Sequence, residues 1–348
     1  MEAPKRSLAW IPVLVAVVIM AVLLLFFIPN FSLQNLLSPN QSTSTFVQNP
    51  SGNSGNPTSS NVDITYPRDY AALANYSLTI INENRTSQGL SPVVLSPIPS
   101  GQQHADSMLQ NGYFSHWDTQ GFKPYMRYSL LNGTGFVEEN IAYEYAGFLS
   151  FTSTQSVEKV IGSLEWQMMN NDSACCNNGH RDNILNQYHD RVSIGIAYSS
   201  TYVYFVEDFE TYLVSLNTPI SQGDTITLEG STSQTLSPGS VEVYFDSTPT
   251  ALTPSVLNSA YNTPYDPGTF LGGVIPQCNS IFGTCQRFSQ GITVQASTWD
   301  IGSSAIDIQF SLSNFIKNGG AGVYTIYLSQ GSTSNPEYLT SISVFISS

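Results

Sequence analysis

Gly179-His180-Arg181-Asp182-Asn183-Ile184-Leu185 opens a segment that runs on into Val192-to-Tyr198 and Tyr202-to-Phe209. Val192, Ile194, Ile196 and Tyr198 alternate with smaller or polar residues, and so do Tyr202, Tyr204 and Val206. A period of two predicts strands with one side buried. Upstream the period changes. Tyr70-to-Gln88 places Leu73, Tyr76, Ile80 and Ile81 at helical spacing and stops at Gly89. A second helix is expected from about Ser100 to Gln110, ended by Gly112, and a third from about Ser156 to Met169. Helices followed by strands predict an α+β domain with an antiparallel sheet.

All four histidines of the 348-residue chain, His104, His116, His180 and His189, lie within this region. Phe114-Ser115-His116 closes one helical stretch, and Glu138-Glu139-Asn140-Ile141-Ala142 lies between His116 and His180. Two imidazoles and a carboxylate brought together make either a metal site or an acid/base site. His104 reads as a packing or capping residue and His189, beside Asp190 and Arg191, as a surface one.

Working towards the N-terminus, residues 30–65 are a Ser/Thr/Asn/Pro tract that cannot build a core and read as a disordered linker. Before it, Leu8-to-Ile28 is uncharged and apolar, long enough as a helix to span a bilayer. Lys5 and Arg6 precede it, so residues 1–29 read as a cytoplasmic stub and transmembrane anchor, with the remainder outside the cell. A cleaved signal peptide is the rival reading. The run ends Phe26-Phe27-Ile28-Pro29-Asn30 with no small-residue cleavage pattern, which favours an uncleaved anchor. The expected localisation is the cell membrane, single-pass, with the C-terminal domains extracellular. Sequons at Asn30, Asn40, Asn75, Asn84, Asn132 and Asn171 are candidate glycosylation sites of a surface glycoprotein.

Towards the C-terminus, the helical period vanishes after about Val214. Short strand-like runs such as Val241-to-Phe245, Ile306-to-Leu312, Val323-to-Leu328 and Ser341-to-Ile346 alternate with Gly/Ser/Pro/Asn turns. They predict an all-β, immunoglobulin-like sandwich over residues 214–348, with a hairpin near Gln330-to-Pro336.

Charge excludes one class of partner. The chain has 11 basic and 25 acidic residues, a net charge of −14. Phosphate backbones need Lys and Arg, so no nucleic-acid partner is expected. Only 10% of residues are charged, against a usual figure of about 25%. A surface so poor in ionisable groups changes little with pH, which suits an acidic medium. Of the four cysteines, Cys278 and Cys285 flank a short loop and are expected to form a disulfide. Cys175 and Cys176 are adjacent, leaving a vicinal disulfide, free thiols or other pairings open. No C-x-x-C spacing occurs, so a cysteine zinc site is not expected.

Several phrases in order resemble the CAP superfamily (SCP, or pathogenesis-related-1-like, domains). They are Ile81-Asn82-Glu83-Asn84-Arg85 with Gly89-Leu90-Ser91-Pro92, His104-Ala105-Asp106-Ser107-Met108 with Gly112-Tyr113-Phe114-Ser115-His116, and Glu139-Asn140-Ile141-Ala142. Gly179-to-Leu185, Ile194-Gly195-Ile196-Ala197 and Val206-Glu207-Asp208-Phe209 complete the series. The resemblance implies an α-β-α sandwich over residues 66–213, with a central cavity lined by two His and two acidic residues that bind a divalent metal such as Zn²⁺ in some members. His116, Glu139 and His180 occupy three of those places. For the fourth, Glu165 is the local carboxylate in Leu164-Glu165-Trp166-Gln167-Met168-Met169, although Gln167 competes for the aligned position. Two departures stand out: Glu138 where the family has glycine, and an insert from Asn170 to Asn178 before His180. The resemblance implies a binding or adhesion module for a lipid, glycan or cell-surface protein. The alternative is a metal-dependent hydrolase or peptidase with Glu139 as candidate catalytic base.

Overall fold

The structure is a computed structural model, and it describes residues 64–347 other than 148–149, 219, 237–238, 262–264, 279–286 and 333–334. Helix α1 spans Tyr70–Ser87, strand β1 Val94–Leu95, α2 Ser100–Asn111 and α3 Pro124–Leu130. Strand β2 spans Phe136–Tyr145, α4 Thr154–Asn170, α5 Ser173–Cys176 and α6 Gly179–Ile184. Strands β3, Arg191–Tyr198, and β4, Tyr202–Thr211, follow. The strands form one sheet in the order β1-β3-β4-β2, parallel only between β1 and β3.

Alternation along β3 and β4 decides the layers. Val192, Ile194, Ile196, Val203 and Phe205 point to one face, where Leu73 and Ile81 of α1 and Val157 and Ile161 of α4 cover them. Ala197, Tyr204 and Val206 point the other way, against Ala105 and Met108 of α2. Successive side chains of a strand alternate faces, so a sheet apolar on both needs two helical layers. The local signals are conventional. Ser153 and Ser156 form a reciprocal cap at the start of α4, and α2 ends on Gly112 at φ 68°. Gly195 is required by close approach, because a Cβ there would lie 2.0 Å from the Gly101 carbonyl oxygen of α2.

Beyond β4 come β5 (Val214–Leu216), β6 (Ser221–Gln222), β7 (Thr225–Thr232), β8 (Ser240–Ser247), helix α7 (Pro254–Ala260) and β9 (Thr269–Ile275). Then follow β10 (Ile292–Gln295), β11 (Thr298–Ile301), β12 (Ala305–Ser311), helix α8 (Ser313–Gly319), β13 (Gly322–Ser332), β14 (Asn335–Tyr338) and β15 (Ile342–Ile346). One sheet runs β10-β9-β8-β13-β14 with β15 also on β13, and the other β11-β12-β7-β5 with β6 on β7. They enclose one core, with Val241, Val243, Ile326 and Leu328 from the first sheet and Ile226, Leu228, Ile308 and Phe310 from the second.

Three expectations need correction. The C-terminal part is not all-β. It contains α7 and α8, and β9 pairs with β10 in parallel, so an immunoglobulin-like description does not hold. The reason is local in α7: Thr253 caps the helix, Pro254 starts it, and Leu257 is fully buried against the α2 side of the first region. The expected N-terminal transmembrane helix and single-pass cell-membrane localisation are likewise withdrawn. No helix among the described residues is long and apolar enough to cross a membrane. Leu8-to-Ile28, on which that reading rested, lies outside the described residues, as does most of the 30–65 linker. His189, expected at the surface, is buried, with Nδ1 3.0 Å from Thr211 Oγ1 and Nε2 2.9 Å from Asn183 Oδ1.

Residues 66–213 and 214–348 belong to one compact unit. Lys123 Nζ reaches Asp246 Oδ1 at 2.8 Å and Asp266 Oδ1 at 3.1 Å. The Tyr125 hydroxyl donates to Asp246 Oδ2 at 2.8 Å, and Phe122 meets the Phe345 ring edge-on. The seam therefore holds both apolar packing and a charge network in which Lys123 and Asp246 are largely enclosed and Asp266 is exposed.

Candidate functional site

A cavity of about 720 Å³ lies on this seam. Strand β2 forms its floor, and α4, α5 and α6 form one wall. The opposing wall comes from the C-terminal region. Glu242 and Tyr244 of β8 share a face with Tyr327 of β13, because Glu242 pairs with Tyr327. Tyr338 of β14 stands on the same face, opposite Ser329. The alternate residues of β8 and β13 enter the core, so the strand period aims these tyrosines at the cavity. Tyr327 contacts Tyr244 at 5.4 Å and Tyr338 at 5.3 Å between ring centres, and Phe136 of β2 packs on Tyr338 at 5.3 Å. Tyr265, from the segment after α7, meets the His116 ring at 5.2 Å.

His116, Glu139 and His180 all border this cavity, but they do not act as one set. Glu139 is completely enclosed. Its Oε1 accepts from His116 Nδ1 at 2.8 Å. Its Oε2 accepts from Arg127 Nη2 at 2.7 Å and lies 2.7 Å from His104 Nδ1. A carboxylate only accepts, so both imidazoles turn Nδ1–H towards it. Burial alone raises the Glu139 pKa, but the neighbouring His104 and Arg127 and the imidazole hydrogen bonds hold it well below the usual range. His104 itself is held towards the neutral form, by burial first and then by Arg127, so Arg127 carries the permanent countercharge. Next to them the Asp208 carboxyl is pushed well above the usual carboxylate range, by burial and then by the Glu139 charge.

This arrangement does not fit a metal held jointly by His116, Glu139 and His180. Both Glu139 oxygens are occupied, Oε1 by His116 and Oε2 by the Arg127 guanidinium. A group whose basicity is this low is also a poor general base.

His180 has a separate partner. Its Nδ1 donates to Asp172 Oδ1 at 2.6 Å, while the backbone N–H groups of His180 and Arg181 donate to Asp172 Oδ2 at 2.9 and 3.2 Å. Asp172 belongs to the insert, as do Cys175 and Cys176, which are joined in a vicinal disulfide. Ligand atoms of Asp172, Cys175, Cys176 and His180 all lie within 4.8 Å of one another. Among the described residues this is the group that can hold a metal ion, and neither His116 nor Glu139 belongs to it. The signal was present in the sequence as an Asp, a Cys pair three residues on, and a His four after that. It lacked the C-x-x-C spacing that usually identifies such sites.

Glu165 does not border the cavity. It is buried on the other side of α4, where Oε1 accepts from Asn84 Nδ2 at 2.8 Å. Its carboxyl interacts with that of Glu207. Burial raises both, and the charge of Glu165 adds to the rise at Glu207, so the pair shares a proton. Gln167, two residues further along α4, borders the cavity instead. Arg85, whose role the sequence did not reveal, staples α1 to the segment after His180 by donating to the carbonyls of Ile184, Asn186 and His189.

Of the sequons, Asn75, Asn132 and Asn171 are exposed, whereas the Asn84 amide is engaged by Glu165. Asn30 and Asn40 lie outside the described residues. Cys278 is disulfide-bonded, and Cys285, its expected partner, also lies outside them. The chain matches no known family model and no curated protein.

Proposed function

We propose that this protein is a ligand-binding module of the CAP superfamily type, and that its ligand occupies the seam cavity rather than being turned over there. The observation that carries this reading is the tyrosine wall. Tyr244, Tyr265, Tyr327 and Tyr338 from the C-terminal region close a cavity whose floor is β2. A concave, largely apolar chamber with few polar groups at fixed places is the usual form of a small-ligand site. Aromatic faces beside hydroxyls and the half-exposed Glu138 carboxylate suit a glycan, whose ring faces stack and whose hydroxyls hydrogen-bond. Glu139, low in basicity and enclosed by three donors, favours binding over hydrolysis.

The test is a binding screen of the full chain against a glycan array and against lipid vesicles, repeated with Tyr244→Ala. Glycan binding that weakens about tenfold, the ~1.4 kcal/mol of one aromatic contact, supports the proposal. Binding to vesicles alone moves the ligand to the lipid class. Peptide cleavage that disappears in Glu139→Gln overturns the binding reading in favour of a hydrolase.

A further inference from the structure

We infer that Asp172, Cys175, Cys176 and His180 form a thiolate-dependent divalent-metal site that the Cys175–Cys176 disulfide closes and reduction opens. The inference does not depend on what ligand the cavity takes.

The four residues sit on a short irregular turn. Helix α5 ends at Cys176, and Asn177 and Asn178 follow with φ of 50° and 66°. Two consecutive left-handed non-glycine residues are unusual, and asparagine tolerates the conformation best. They reverse the chain so that His180 returns beside the sulfurs. Asp172 is buried, and its Oδ1 stands 2.6 Å from His180 Nδ1 and 3.6 Å from Cys175 Sγ. Cys175 is exposed and Cys176 half-buried, so a reductant can reach the pair.

The donor set is two sulfurs, one imidazole and one carboxylate, a combination that suits Zn²⁺ and related soft divalent ions. Donors around a tetrahedral zinc stand roughly 3.3–3.8 Å apart, given bonds of about 2.0–2.3 Å. A spread within 4.8 Å is therefore close to what four ligands need. With the S–S bond formed, neither sulfur carries the negative charge that a metal requires.

The exchange balances. A dithiol attacks one sulfur as its thiolate, the S–S bond breaks through a mixed disulfide, and the second thiol of the reagent releases it. Two electrons pass to the pair, two cysteine thiols form, and the reagent becomes a disulfide. Metal binding then displaces the two thiol protons. Metal and S–S bond thus exclude each other, and the redox state of this pair decides whether a cation borders the cavity.

The test uses Co²⁺ as a spectroscopic stand-in for Zn²⁺, added to the full chain before and after reduction by a water-soluble phosphine. The phosphine breaks the disulfide and becomes the phosphine oxide, taking its oxygen from water. Untreated protein should show no thiolate-to-cobalt charge-transfer band. Reduced protein should show the band at one Co²⁺ per chain, with Zn²⁺ displacing it. Cys176→Ser should abolish the band, Asp172→Asn should weaken Co²⁺ binding about 10–100-fold, and Cys278→Ser should leave it intact. Circular dichroism checks that each variant is folded. A folded, reduced protein without the band overturns the inference. So does a band that survives Cys175→Ser with Cys176→Ser, or one that is equally strong before reduction. Glycan binding that fails while the band appears counts against the cavity proposal alone.

Discussion

His116 and His180 face one cavity from opposite surroundings, and the contrast explains more about this molecule than either residue does alone. Each imidazole gives its Nδ1–H to a carboxylate. The carboxylate behind His116 is Glu139, enclosed in the first region and already answered by Arg127. The carboxylate behind His180 is Asp172, held in an insert with two cysteines beside it. The first arrangement is a neutralised network in which both carboxylate oxygens already have donors. The second has two sulfurs beside its carboxylate and no fixed positive partner among its four members. The same dyad thus serves as scaffold on one side and as a candidate ligand set on the other, and the difference lies in what surrounds the carboxylate.

The comparison breaks most readily at Arg127. Replacing it by Met leaves Glu139 buried beside Asp208 without its permanent countercharge. We expect a loss of about 3–5 kcal/mol in urea unfolding, partly recovered by adding Glu139→Gln. A loss below ~1 kcal/mol would show that Arg127 is not the countercharge.

A second test uses pH. Burial pushes Asp106 and Glu210 up to about 7, and it raises Asp208 and Glu207 as well. A carboxyl raised on folding holds more protons folded than unfolded, so its contribution is complete below the unfolded pKa of about 4. For Asp106 and Glu210 that contribution is lost as pH climbs through about 7. Glu139 has the opposite sign: its contribution is present above the ordinary carboxylate range and disappears only as pH falls through its lowered value. The sum predicts a thermal midpoint that is highest near pH 4 and falls by several degrees towards pH 8. A midpoint that rises over that interval contradicts the protonation states assigned to these groups.

Smaller effects sharpen the contrast. Glu207→Gln removes the need to hold a proton beside Glu165, so at pH 8 it should stabilise by about 1 kcal/mol and at pH 4 do little. Equal effects at both pH values would mean that the pair does not share a proton. Cys175→Ser with Cys176→Ser closes no long loop and alters an exposed turn, so its stability change should stay within about 0.5 kcal/mol. A larger loss would make the vicinal disulfide a structural brace rather than a removable block.

The fold was legible where period and punctuation coincide. Helix α1 has its apolar stripe and Gly89, α2 ends on Gly112, and β3 and β4 alternate cleanly. Strand β2 was hidden, because Glu138-Glu139-Asn140 interrupts the apolar alternation of a strand, and only the fold brings Arg127, His104 and Asn183 to those groups. Helix α7 was hidden too, since seven residues with one buried leucine give little period. His189 misled for a related reason: charged neighbours suggest exposure, yet Thr211 and Asn183 supply both of its ring nitrogens with partners inside.

The sequence by itself determined which residues are available for chemistry: four histidines in one region, a cysteine pair in an insert, and a chain too poor in Lys and Arg to seek nucleic acid. It also set strand periods that aim Tyr244 and Tyr327 to one side and Val243 and Ile326 to the other. Only the tertiary structure decided what those tyrosines face, and which carboxylate each histidine takes. Period fixes direction within one element, whereas partnership depends on which buried charges the packed elements bring within about 3 Å of one another.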